Sequence, residues 1–223
     1  MSKIVLVVAA HSDDEALGCA GTIARHVDNG DTVHLLFMTD GVGARDSGSD
    51  HVVERRLMSQ MAAETLGVES VTYCNFPDNQ MDTIPLIEVV QSIEKEINQL
   101  MPEIIYTHHI GDLNVDHQLT HKAVITACRP QPDFCVKEIY AFEVLSSTEW
   151  SAPYVCDGFN PNMYVDITEF YEKKVQALHA YEQEMREYPH SRSVKGVAAL
   201  CQYRGISVGV EMAEAFQIVR IIL

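Results

Sequence analysis

The chain has 223 residues, 47% of them apolar, which is enough for one sizeable core, and a single domain spanning 1–223 is expected. Sixteen basic residues against thirty-two acidic ones leave a formal net charge of −16, which repels phosphate backbones and argues against nucleic acid or an anionic membrane surface as a partner. Six cysteines are scattered without a C-x-x-C pair, as in reduced cytoplasmic proteins, and the first apolar run meets charge too early for a signal peptide or a membrane span.

Ile4 to Ala10 is a near-continuous apolar run, the pattern of a strand buried on both faces of a parallel sheet. Ser12 stands three residues before Glu15, a capping-box spacing that predicts a helix start. Ala16, Leu17, Ala20, Ile23, Ala24 and Val27 continue at helical spacing to Asn29-Gly30, with Gly18 and Gly21 allowing close packing on the sheet. Thr32 to Met38 reads as a second strand, followed by a polar loop to Asp50. A helix over His51–Leu66, a strand over Ser70–Phe76 and an amphipathic helix over Ile84–Leu100 come next. Glu103 to His108 is a further strand, and a loop to Asp116 leads into a helix from His117 to about Cys128. Strands over Val136–Val144 and Asn162–Ile167, a helix from Thr168 to about Arg186, a helical stretch over Val194–Tyr203 and a terminal strand over Ala215–Leu223 complete the chain. This alternation predicts an α/β sandwich.

Ligands of an open parallel sheet sit beyond the carboxyl ends of its strands. His11-Ser12-Asp13-Asp14 and Asn114-Val115-Asp116-His117 both occupy such positions. His11 and Asp14 are close enough to share an ion, and His117 is a candidate third ligand from a neighbouring strand. Two imidazoles and one carboxylate suit catalytic zinc, although ferrous iron accepts the same set. Asp13, adjacent to Asp14 and not needed as a ligand, is the candidate general base. The bland alternative is that Asp13, Asp14 and Glu15 only complement the helix dipole behind a Ser12 cap.

The run from His11 to Thr22, HSDDEALGCAGT, resembles the H-P-D-D-E-x-L-G-x-G-G-T signature of the PIG-L/LmbE-like zinc-dependent N-deacetylases. Asp112-x-Asn114-x-Asp116-His117-x-x-x-His121 resembles their second signature, and Arg55 ahead of Ala62-Ala63 and Leu66-Gly67 a weaker third. Arg204-Gly205, Gly209 and Ala213-Glu214-Ala215-Phe216 are similar to the pattern in members acting on N-acetylglucosaminyl malate. The resemblance implies a Rossmann-like three-layer sandwich with a mostly parallel sheet, zinc on His11, Asp14 and His117, and Asp13 as base. It also implies hydrolysis of an N-acetyl group from an amino sugar or conjugate, a small-molecule partner, and leaves a homo-oligomer open.

Two departures stand out. Ser12 replaces the usual proline, and Asn114 stands where some relatives have a histidine; asparagine donates a hydrogen bond to an oxyanion but cannot act as an acid. Asp13 is therefore expected both to take the water proton and to deliver it to the amine. Asp116 either orients an imidazole or caps the following helix, and His121 is either a substrate contact or a packed residue. Arg45, Arg55 and His190, the last in the loop Pro189-His190-Ser191-Arg192, are candidates to bind a hydroxyl-rich or acidic substrate group, with surface salt bridges or a solvated turn as the alternative. The charges Glu172-Lys173-Lys174 and Glu182 to Glu187 read as exposed helix surface. Two competing classes are a non-catalytic sugar- or metal-binding protein and a magnesium phosphohydrolase. Histidine ligands and the absence of a glycine-rich phosphate loop disfavour the second.

Overall fold

The computed structural model describes residues 2–39, 41, 49–132, 134–152 and 158–223. Seven strands form one sheet in the order β3-β2-β1-β4-β5-β7-β6: β1 (Ile4–Ala9), β2 (Thr32–Thr39), β3 (Ser70–Phe76), β4 (Ile104–His108), β5 (Glu138–Phe142), β6 (Met163–Asp166) and β7 (Ala213–Ile221). The first five run parallel, whereas β7 is antiparallel to both β5 and β6. The mostly parallel α/β sandwich expected from the sequence is present.

Residue alternation along β1 explains the three layers. Val5, Val7 and Ala9 join a core built with α1 (Asp14–Asp28), α2 (Ser49–Leu66), α5 (Tyr171–Ala180) and α6 (Val194–Ile206). Leu6 and Val8 face the opposite core, built with α3 (Leu86–Leu100) and α4 (Val115–Ala127). With both faces covered, a strand must be apolar at every position, which is why the run reads as continuous. The chain steps outward from β1 through β2 and β3, then returns to place β4 on the other side of β1. That reversal opens a crevice beyond the carboxyl ends of β1 and β4.

Gly18 and Gly21 are needed for close approach. A Cβ on Gly18 would fall 2.5 Å from the Phe142 ring on β5, and one on Gly21 would fall 2.7 Å from Ile167. Between them α1 kinks at Cys19, whose φ of −148° and ψ of 20° are not helical. Such a break frees backbone groups that must find partners when buried. A pair of buried charges supplies them. Glu214 accepts from Gly21 N at 3.0 Å and Thr22 N at 2.7 Å, and Lys174 Nζ donates to Ala16 O at 3.0 Å and Leu17 O at 2.7 Å. Lys174 and Glu214 also meet each other at 2.6 Å.

Several sequence expectations need correction. Lys174 is 1% exposed and Glu184 is buried too, so neither belongs to a solvated helix face; each is held by an opposite charge. The helix expected to run to about Arg186 is instead a 3₁₀ turn (Thr168–Phe170), α5, and a second 3₁₀ turn (Glu182–Glu184). The interruption lets Tyr181 turn inward, fully buried, and donate to Glu15 Oε1 at 2.7 Å. Helix α4 begins at Val115, ahead of His117, because Asn114 caps it by accepting from Asp116 N at 2.8 Å. Ser12 caps nothing; α1 starts at Asp14 behind Asp13. Glu15 accepts from Asp13 N at 2.9 Å, one residue along from the Ser12 N–H that the expected capping box would use.

Candidate metal and catalytic centre

The loops after β1 and β4 meet in the crevice at the topological switch point. His11 Nδ1, Asp14 Oδ2 and His117 Nε2 form a nearly equilateral triangle with sides of 3.1, 3.2 and 3.2 Å. Ligands about 2.0–2.1 Å from a tetrahedral zinc are separated by roughly 3.3 Å, so the triangle has the right size for one face of such a site. All three residues are buried, and all three line a cavity of about 180 Å³.

Carboxylates behind the triangle fix its imidazoles. His11 Nε2 faces Asp78 Oδ1 at 3.0 Å and Asp116 Oδ2 at 3.2 Å, while His117 Nδ1 faces Asp112 Oδ2 at 3.2 Å. Each ring thus turns one nitrogen to the triangle and the other to an acid, the arrangement that orients metal-binding histidines. Two further groups, His108 with Asp112 and His117, and His11 with Asp78 and Asp116, also have metal-ligand spacing. They share these backing acids, and the first triangle is the set that combines two imidazoles with a carboxylate on the cavity wall.

The electrostatics match a place for a cation. Burial works against protonation of His11, but Asp116, Asp14 and Asp78 hold its pKa well above the ordinary 6.5. Burial likewise opposes the charged form of His117, yet Asp14 and Asp112 push it up to about 9. Burial also opposes ionisation of Asp112, which the bond to His117, the charge of His117 and the hydroxyls of Ser147 and Thr148 bring down to about 2. The protein on its own therefore gathers protons where its carboxylates converge. His108 differs: burial first, then His117, keep it well below 6.5, and its Nε2 accepts from Ala10 N at 2.8 Å. It stacks on His117 with ring centroids 3.9 Å apart.

Asp13 enters the cavity from a backbone φ of 128°, a conformation uncommon outside glycine. Its Oδ2 accepts from Arg192 Nη1 at 2.9 Å and lies 3.3 Å from Arg55 Nη2. Burial raises its pKa, and the two arginines pull it back. Arg55 in turn donates from Nε to Ser12 Oγ at 3.0 Å and pairs through Nη1 with Glu184 at 2.7 Å. Its side chain lines the cavity, but its guanidinium is engaged in holding the Asp13 loop.

The other sequence candidates are distributed unevenly. Asp116, fully buried, accepts from Asn79 N at 2.6 Å and Met81 N at 3.1 Å and so anchors the loop after β3 as well as His11. Asn114 lines the cavity and donates from Nδ2 to Asn79 Oδ1 at 3.1 Å. His121 turns Nδ1 to His108 O at 2.8 Å, and neither it nor His190 is among the described residues lining the cavity. Arg45 lies outside the described residues. Sequence reasoning did not single out Asp78, Asn79, Ser146 or Ser147, read Glu184 as surface charge, and named Arg192 only as a member of the His190 loop. Asp78 and Asn79 after β3, and Ser146 and Ser147 after β5, follow parallel strands at their carboxyl ends, so that positional rule was available for them; Arg192 lies in the loop already singled out for His190, and Glu184 carries no local signal.

The family profile of the PIG-L proteins, described as GlcNAc-PI de-N-acetylase, matches residues 6–128, over half of the chain and both metal-site loops. The chain belongs to the PIG-L family. Over 231 aligned positions this PIG-L chain is 29% identical to the diacetylchitobiose deacetylase of Thermococcus kodakarensis, covering 97% of the chain and 83% of the relative. The N,N'-diacetylchitobiose deacetylase structure from Pyrococcus horikoshii superposes with a TM-score of 0.79 at 23% identity, over 98% of this chain and 84% of that one. The 4-carboxy-2-hydroxymuconate hydratase of Pseudomonas putida superposes with a TM-score of 0.77 at 26% identity, over 99% and 98% of the two chains. The PIG-L fold thus supports more than one reaction, and the site must distinguish them.

Proposed function

We propose that this protein is a metal-dependent N-deacetylase that hydrolyses the acetamide of an amino sugar or amino-sugar conjugate to acetate and a free amine. The observation that carries the reading is the convergence in one cavity of the His11, Asp14 and His117 triangle with the separately held carboxylate of Asp13. Zinc or ferrous iron on these three residues would lower the pKa of its bound water toward neutrality and polarise the acetamide carbonyl.

The remaining steps belong to the side chains. Asp13, whose pKa burial raises and Arg55 and Arg192 pull back toward the anionic form, takes a proton as the water oxygen adds to the carbonyl carbon. It returns that proton to the nitrogen as the C–N bond breaks. Asn114 caps α4 with its oxygen and ties Asn79 with one N–H, which leaves its second N–H for the developing oxyanion. Asp112, Asp78 and Asp116 fix the ring orientation of His117 and His11. Free thiols at Cys19, Cys74, Cys128, Cys135 and Cys201 support a reducing, cytoplasmic setting.

The test is a screen of N-acetylated sugars and their conjugates with zinc- or iron-reconstituted protein, measuring acetate and free amine. Equimolar release that disappears in Asp13→Asn is the expected result. Metal and sugar binding without any amine release would favour a non-catalytic binding protein. Addition of water to an unsaturated diacid, with acetamides untouched, would assign the chain to the hydratase chemistry instead.

A further inference from the structure

Protein sites for sugars combine a few directional polar groups with an aromatic surface that covers the apolar C–H face of the ring. Among the described residues, the cavity around the metal triangle shows only the first of these. Among the described residues its lining is His, Asp, Asn, Arg, Ser, Glu and Gly41, with no aromatic ring other than imidazole. An exposed aromatic ring stands three residues along the chain from that lining. Ser146 and Ser147 line the cavity, and the 3₁₀ turn Thr148–Trp150 that follows them carries an indole that is 53% exposed.

A second loop supports that indole. Arg192 lines the cavity, and two residues earlier His190 packs edge-on against Trp150, with ring centroids 5.6 Å apart and planes at 75°. His190 Nδ1 accepts from Arg192 N at 3.1 Å, and Arg192 Nε donates to Ser146 Oγ at 3.0 Å. One loop thus contributes Ser146 and Ser147 to the cavity and the other Arg192, and each adds one ring to a shared platform.

The platform is held firmly. Ser146 has a φ of 66°, and Glu149 accepts from Ser146 N at 2.7 Å and Ser147 N at 3.2 Å. Ser147 and Thr148 donate their hydroxyls to Asp112, the acid behind His117. A large ring left half in water on a loop tied to the metal site is costly as packing and suits a binding surface fixed in advance.

We propose that Trp150, backed by His190, binds a second pyranose ring attached to the N-acetylated sugar. The preferred substrate class is then an N-acetylated disaccharide or longer saccharide, over free N-acetylglucosamine or a conjugate with an open-chain acid. This rests on the deacetylase reading for the acetamide end and adds to it what lies at the other end.

Trp150 is the chain's one tryptophan, so its fluorescence reports the platform directly. Metal-loaded full-length protein carrying Asp13→Asn, which leaves ligand unconsumed, is titrated with N-acetylglucosamine and with its β-linked disaccharide. A saturable change with the disaccharide and none with the monosaccharide is expected. In turnover, Trp150→Ala raises KM for the disaccharide roughly tenfold, with kcat and the monosaccharide kcat/KM within about twofold of wild type, and Trp150→Phe recovers most of the loss. Unchanged fluorescence with the disaccharide, or equal losses on both sugars in Trp150→Ala, overturns the proposal. So does a fluorescence change that follows protein concentration and ignores saccharide, which would mark a face between copies of the chain. A disaccharide-specific fluorescence change without amine release from either sugar would keep the platform and reject the deacetylase reading.

Discussion

Arg192 Nη1 lies 2.9 Å from Asp13 Oδ2, joining a late loop to the strand-helix junction 179 residues earlier. Asp13 is desolvated, and without cationic neighbours burial would move it toward the protonated form. Replacing Arg192 with Met therefore raises the Asp13 pKa further. The acidic limb of the kcat/KM profile moves to higher pH, and kcat/KM at neutral pH falls roughly tenfold or more. A pH-rate series on both proteins checks this, and an unmoved acidic limb would separate Arg192 from the base.

Metal uptake should release protons. His117 at about 9 carries a proton at neutral pH in the metal-free protein, the neighbouring acids also favour the protonated form of His11, and a ligating nitrogen must lose its proton. Apparent zinc affinity rises with pH up to about 9. Calorimetry in buffers of different ionisation enthalpy reads the released protons at pH 7. An affinity independent of pH across that range would place the metal elsewhere.

Removing a backing acid should weaken the metal and spare the fold's ability to form. Asp116→Asn keeps one acceptor oxygen, enough for Asn79 N or Met81 N but not both, and removes the charge facing His11. Metal affinity falls roughly 10–100-fold. Competition with a coloured chelator measures it.

Lys174→Met leaves Glu214 charged and buried, and removes the donor to Ala16 O and Leu17 O. Breaking a buried pair from one side costs about 3–5 kcal/mol. The melting temperature should drop by roughly 10 °C, a shift of the size expected for that loss in a domain of this length. Lys173→Met, one residue away and exposed, should change stability by no more than about 0.5 kcal/mol. Equal effects of the two substitutions would remove the pair from any role in holding the α1 kink.

His34 supplies a pH dependence of stability remote from the metal. Burial lowers its folded pKa below 6.5, against the opposing charges of Glu69 and Glu96. The unfolded chain then binds the proton more readily, so the contribution is complete above about 6.5 and is lost as pH falls through the lowered folded value. Denaturant titrations at several pH values should show a shallower loss toward acid in His34→Gln than in the parent.

Short-range information was sufficient for much of this molecule. The continuous apolar run of β1, the helical spacing after it and the two acidic loops beyond parallel strands identified the sheet and brought His11, Asp13, Asp14 and His117 forward as one constellation, because periodicity and chain order determine which strand ends lie together. Gly18 and Gly21 were legible for the same reason, as breaks in helix propensity that only close packing explains.

Tertiary structure decided the partners of each charge. Nothing local distinguishes Lys174 from exposed Lys173, or Glu184 from exposed Glu182; burial separates them, through Glu214 in one case and Arg55 in the other. Ser12 looked like a cap because its spacing to Glu15 suits one, yet Arg55 reaches it from α2 and Asp13 takes the first position. Arg192, Asp78 and Trp150 acquire meaning only when loops from four parts of the chain meet at one end of the sheet. A carboxylate's pKa, a ring's orientation and an indole's exposure depend on atoms within a few ångströms in space, and those neighbours lie tens to hundreds of residues away in sequence.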